Sequence, residues 1–186
     1  MNSTELRNIL NISVPSSYQV GVLACDQLNL VKKQKFAIIL NTDDSTKPGL
    51  HWLGVFKKSA ESPVVEFFDS FGLPANFYDK EIGKFLSIFP QMLSSHVQLQ
   101  SPFSDVCGQF SIYFLLSRVA GIPFNAIVSG FSKHQLLKND EKVRTFVKHN
   151  FMQSSDTADQ SVVHDDIIDS DIHQCCKKQV KSFHCK

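Results

Sequence analysis

The stretch CGQFSIYFLLSRVAG, residues 107–121, constrains the fold more than any other part of this 186-residue chain. It is apolar almost all the way round a helical wheel, as the central helix of a domain is, because no face of it can be left in water. Gly121 and Pro123 supply its C-terminal stop. The segment is entered from a polar loop, QSPFSDV (100–106), so Cys107 and Gly108 stand where loop becomes helix.

Around this helix the sequence predicts one α+β domain over residues 1–151, with a mixed central β-sheet flanked by helices. ELRNILNI (5–12) has the spacing of a short amphipathic helix, with Ser3 or Thr4 as its N-cap and Pro15 beyond its end. YQVGVLACDQL (18–28) reads as an extended segment or edge strand. In KKQKFAIILNT (32–42) five apolar residues run together and stop at the turn formers NTDDSTKPG, which predicts a buried strand. HWLGVFK (51–57) and PVVEFFD (63–69) are two β-prone runs joined by KSAES, the pattern of a hairpin. If residues 57 and 63 pair, His51 lies directly opposite Asp69 on the same sheet face. FYDKEIGKFLSIF (77–89) carries a helical apolar stripe, SHVQLQ (95–100) alternates like a strand, and HQLLKNDEKVRTFVKHNF (134–151) reads as one or two closing helices. From residue 152 the chain turns polar and acidic, then basic with clustered Cys and His, which predicts a mobile tail over 152–186.

Composition narrows the class. A 42% hydrophobic content with 16 Phe is that of a globular domain. No apolar run approaches a membrane span, and MNSTELRNIL lacks the basic start and apolar stretch of a signal peptide, so an intracellular protein with no membrane partner is expected. Five cysteines, an odd number, do not make a disulfide framework, and free thiols are expected. The net charge of +1 offers no support for a nucleic-acid binder; residues 1–151 carry 15 Lys/Arg against 12 Asp/Glu, and the remainder carries 4 against 6.

Several residues are of types that do chemistry. A cysteine at a helix N-terminus gains from unpaired N–H groups and the positive end of the helix dipole, both of which favour its thiolate. Cys107 has that position, whereas the rival Cys25 lies in an apolar segment where a buried thiol stays protonated and inert. A cysteine nucleophile also needs a base, a group to orient the base, and donors for the oxyanion. Of seven histidines, 51, 96, 134, 149, 164, 173 and 184, the last three fall in the tail, 134 and 149 in a Lys-rich helical region, and only His51 acquires an acidic partner from the hairpin, namely Asp69. Asp69 alone could equally cap the turn at SFG, and Gln100 alone could be an ordinary loop glutamine. The tail's HQCCKKQVKSFHC does not reproduce the C-x₂-C or H-x₃₋₅-H spacing of a structural zinc site, so neither metal nor cofactor is expected.

Taken together, FAIILNTDDSTKPGLHWLGVF, then VEFFDSFG, then QSPFSDVCGQF resemble the adenain family, the adenovirus-type cysteine proteases found also in related viruses and virus-like transposons. The resemblance spans residues 18–130 and implies the cysteine-protease fold shared by adenain and SUMO-deconjugating enzymes. It implies that Cys107 attacks the scissile carbonyl, His51 is the general base, Asp69 orients His51, Gln100 joins the Cys107 backbone N–H in an oxyanion hole, and Trp52 packs beside the imidazole. The order His, Asp, Gln, Cys differs from that of papain-type enzymes. Protein substrates follow, namely structural precursors of capsids or cores, with activity in the host nucleus or cytoplasm or within virions.

This chain departs from the adenain pattern in two ways. Adenain has Glu where Asp69 stands. It also has a cysteine about 18 residues before the nucleophile that bonds an activating peptide, and here that neighbourhood, IFPQMLSSHVQ, has none. A non-covalent peptide or DNA activator is compatible with the family but has no support in this sequence. SUMO-type proteases place Gln six positions before Cys and Asp directly before it, where this chain has seven and Val106; a deconjugating enzyme and an inactive, protein-binding relative are the alternatives. Asp26 resembles an acidic position common to both protease groups.

Overall fold

The computed structural model describes residues 1–32 and 34–152, so the predicted tail lies outside the described residues. Five strands, β1 (Gln19–Leu23), β2 (Phe36–Asn41), β3 (Trp52–Lys57), β4 (Val64–Phe68) and β5 (Gln91–Ser94), form a mixed sheet in sequential order. The two outer pairs are parallel and the two inner pairs antiparallel. Each parallel pair needs a crossover, and both crossovers cover the same face: a 3₁₀ segment over Cys25–Leu30, and helix α2 (Lys80–Ser87). Helices α1 (Ser3–Ser13), α3 (Cys107–Val119), α4 (Phe124–Ser129) and α5 (Leu136–Phe151) cover the other. The result is the expected α+β class.

The period of two in each strand sorts side chains into two cores. Phe36, Ile38 and Leu40 of β2 point to the α2 side with Leu53, Val55, Val65 and Phe67; Ala37 and Ile39 point to the α3 side with Phe56 and Phe68. Strand β2 is buried along its whole length, which is why it reads as a continuous apolar run. Helix α3 crosses the sheet centrally, with Phe110, Ile112, Phe114 and Leu115 fully buried. Phe114 lies flat on Phe68, centroids 4.7 Å apart and planes 9° from parallel. Gly54 on β3 makes this approach possible, since a Cβ there would sit 2.8 Å from Phe114 Cδ1. Helix α5 closes the far side through Tyr113–Phe146, and a bidentate ion pair of Arg118 with Glu66, 2.5 and 2.7 Å, ties α3 to β4.

Three local expectations are corrected and one helix is added. The N-cap of α1 is Asn2, which takes the Thr4 and Glu5 N–H groups while Glu5 returns to the Asn2 N–H, so the capping box starts earlier than Ser3. The strand near residue 95 is QMLS; SHVQLQ is irregular because the N–H groups of Leu99 and Gln100 go to Ser70 O instead of a ladder. The short helix α4, just after Pro123, is an addition. The β3–β4 register pairs Gly54 with Phe68, Val55 with Phe67 and Phe56 with Glu66, two residues away from a 57–63 pairing. His51 is therefore diagonal to Asp69 and not directly opposite. An even slip preserves parity, so both remain on one face.

Candidate active site

The end of the sheet where β3 begins and β4 finishes gathers four pieces of chain. His51 immediately precedes β3, and Asp69 immediately follows β4. The first turn of α3 packs on Trp52, whose Cδ1 would lie 3.4 Å from a Cβ at Gly108, and Ser111 Oγ donates to Trp52 O at 3.3 Å. Because Trp52 follows His51, this packing carries Cys107 to the imidazole.

Asp69 is fully buried and accepts four hydrogen bonds. Its Oδ1 takes His51 Nε2 at 2.7 Å and Phe71 N–H at 3.0 Å; its Oδ2 takes Leu73 N–H and the Tyr78 hydroxyl, both at 2.8 Å. Capping the SFG turn and orienting His51 are thus one arrangement and not alternatives. With Nε2 donating to the carboxylate, Nδ1 is the ring nitrogen left to face the Cys107 thiol, and each of the two groups shifts the other's proton affinity. The Phe71 and Tyr78 rings stack on the imidazole at 4.9 and 5.9 Å, within 28° and 25° of parallel.

Burial opposes charge on both partners, yet their interaction outweighs it. For His51, burial would lower the pKa, but the Asp69 and Cys107 hydrogen bonds and charges raise it from 6.5 to about 9. For Cys107, burial pushes the thiol up, and the His51 hydrogen bond and charge, aided by the Trp52 and Gly108 backbone, bring it below its ordinary 9.0. Both shifts run in the direction that favours thiolate with imidazolium over thiol with imidazole. Val106, the N-cap of α3, offers no side-chain cap, so the helix's first N–H groups are left without one beside the sulfur. The Tyr78 hydroxyl is held protonated by burial and the adjacent Asp69 charge.

Gln100 is buried next to this cluster, its Oε1 accepting from Ser70 Oγ at 2.6 Å and its Nε2 donating to Ser104 O at 2.8 Å. The segment around it is pinned from both sides. Ser70 O takes the Leu99 and Gln100 N–H groups, Asn139 Nδ2 donates to Leu99 O, and the buried Asp140 accepts from Ser101 N. One hydrogen of Nε2 remains for a further acceptor.

No protein-family model matches the chain, and no curated protein matches it.

The other sequence candidates separate from this cluster. Cys25 lies in the α2-side core, where burial and then the charges of Asp79, Asp26 and Asp44 push its thiol up. Asp26 accepts from Ser45 N and Oγ at 2.9 and 2.6 Å, which orders the loop leading to His51. His96 is exposed and paired with Ser94, and His134 and His149 are exposed. The Cys/His pairs of the tail are outside the described residues; among those described, no three His, Cys, Asp or Glu gather as metal ligands, and no helix is long and apolar enough to cross a membrane. Sequence reasoning missed Tyr78 and Ser70. Tyr78 carried a signal, an aromatic standing ahead of the α2 N-cap, but it was absorbed into the helical stripe; Ser70 carried none.

Proposed function

We propose that the chain is a cysteine endopeptidase in which Cys107, His51, Asp69 and Gln100 have the roles implied by its resemblance to the adenain family. The observation that carries this reading is that Cys107, at a helix N-terminus that no side chain caps, stands beside His51, which Asp69 holds at 2.7 Å. The thiolate attacks the scissile carbonyl carbon, and the oxyanion forms against the Cys107 backbone N–H and the spare N–H of Gln100. The His51 imidazolium then gives its Nδ1 proton to the departing amine. Water, deprotonated by His51, hydrolyses the thioester and returns the thiol. Asp69 holds Nε2 throughout and keeps Nδ1 aimed at the sulfur. The same resemblance points to structural precursors of viruses or virus-like transposons as substrates.

The test is mass spectrometry after a limiting dose of iodoacetamide near neutral pH, beside a His51→Ala control. Cys107 is expected to be alkylated ahead of Cys25, Cys175, Cys176 and Cys185, with the preference lost in the control. Equal labelling of Cys107 and the tail thiols would reject the reading. Toward a cleavable peptide, Gln100→Ala is expected to lower kcat about 10²–10³-fold, the scale for one oxyanion donor.

A further inference from the structure

We propose that Ser70 is a positioning residue for the oxyanion site, fixing the plane of the Gln100 carboxamide so that its spare N–H faces the reacting carbonyl; this rests on the protease reading above. A glutamine amide has two ends of nearly equal size and opposite polarity. Its NH₂ end stabilises an oxyanion, and its carbonyl end repels one. Placement therefore matters more than presence.

Two contacts define that placement. Ser104 O is an acceptor only, so it must face Nε2, and it does so at 2.8 Å. A single contact leaves the amide free to pivot about it. The second contact, Ser70 Oγ donating to Oε1 at 2.6 Å, removes the pivot, and the remaining Nε2 hydrogen then has one direction. Both side chains are almost wholly buried, so water is a poor substitute for the hydroxyl.

Ser70 is itself held without slack. Its carbonyl receives the N–H groups of Leu99 and Gln100 at 2.8 and 3.0 Å, so the two segments are joined through backbone and side chain together. Gly72, at φ +71°, closes the turn through its N–H to Asp69 O and lies so near the Val97 backbone that a Cβ would sit 2.5 Å from Val97 C. Asp69 and Ser70 are adjacent on this turn: one holds the base and the other holds the oxyanion donor.

Two probes of Cys107 separate these arms. With 2,2′-dipyridyl disulfide the thiolate attacks one sulfur, the reagent's S–S bond breaks as a new one forms to Cys107, and the released pyridine-2-thiolate takes a proton to become pyridine-2-thione; no carbonyl is involved. With p-nitrophenyl acetate the thiolate attacks the ester carbon through an oxyanion, the C–O bond breaks, and p-nitrophenolate leaves an acetyl thioester on Cys107. Each rate is followed on the Cys107 peptide in the full chain.

Ser70→Ala is expected to slow acetylation about 10-fold or more, bounded by the 10²–10³-fold loss of the donor itself, while disulfide exchange is unchanged. Ser70→Thr, which keeps the hydroxyl, restores acetylation. In a Gln100→Ala background, Ser70→Ala has no further effect. Unchanged acetylation in Ser70→Ala overturns the proposal, and so does a parallel fall in both reactions or an undiminished effect without Gln100. A wild-type Cys107 that reacts with dipyridyl disulfide no faster than the other thiols overturns the protease reading itself.

Discussion

Replacing Asp69 with Asn changes one atom and removes one charge, and its cost follows from the four donors converging on that carboxylate. If the Asn oxygen faces His51 and Phe71, its NH₂ faces Leu73 N–H and Tyr78 OH; the hydroxyl can turn and accept, but the amide N–H is orphaned. If the amide is reversed, Phe71 N–H is orphaned, and the imidazole must move its proton to Nδ1, facing the thiol. One orphaned buried donor costs about 1–3 kcal/mol, and weakening three charge-assisted bonds to neutral ones costs about 1 kcal/mol each. A loss of about 4–6 kcal/mol is then expected, a large part of the roughly 5–15 kcal/mol typical of a domain. Urea unfolding measures it. The sharper reading is the NMR titration of the His51 ring. Wild type is expected to titrate at about 9, and the variant well below that, because burial still disfavours the cation while its anionic partner is gone. A His51 midpoint that stays near 9 in Asp69→Asn would refute the assignment of Asp69 as the group that sustains the imidazolium.

The alkylation rate of Cys107 by iodoacetate is expected to be bell-shaped in pH. It falls on the acid side as the thiolate is protonated below its lowered pKa, and on the alkaline side near pH 9 as His51 loses the positive charge that attracts the anionic reagent. Iodoacetamide, being neutral, is expected to lack the alkaline fall; identical profiles for the two reagents would count against an imidazolium beside the sulfur. Gly54→Ala is expected to destabilise the domain by about 1–3 kcal/mol in urea unfolding, because the added methyl meets the Phe114 ring at 2.8 Å; an unchanged midpoint would mean α3 has room to lift off the sheet.

The elements that sequence periodicity revealed are those in which burial alone decides the residue type. β2 is apolar at five successive positions because both its faces are covered, and α3 is apolar all round because it crosses the sheet beneath other helices. The hairpin was legible in type but not in register. Pro63 has no N–H for a ladder, Lys57 Nζ turns back onto Ser59 O and Ala60 O, and pairing therefore begins further in. The approach of His51 to Asp69 survived because parity depends on even spacing and not on the exact slip. The partners of Ser70 and Tyr78 were hidden for a different reason. Each acts on a residue that the fold brings near; Ser70 has no pattern along the chain, and Tyr78's place ahead of the α2 N-cap says nothing of the carboxylate it meets.

The distribution of these groups also bears on the order in which a nascent chain can assemble the site. His51 and Asp69 precede Cys107 in the chain, and Cys107 opens a helix covered by α1, α4 and, last in the described chain, α5, which reaches it through Tyr113–Phe146 and holds Ser101 N through Asp140. Without residues 136–151, α3 lacks the cover that Phe146 gives Tyr113 and the loop at Ser101 lacks its Asp140 acceptor. A chain that ends before residue 136 is therefore expected to show an ordinary Cys107 thiol toward iodoacetamide.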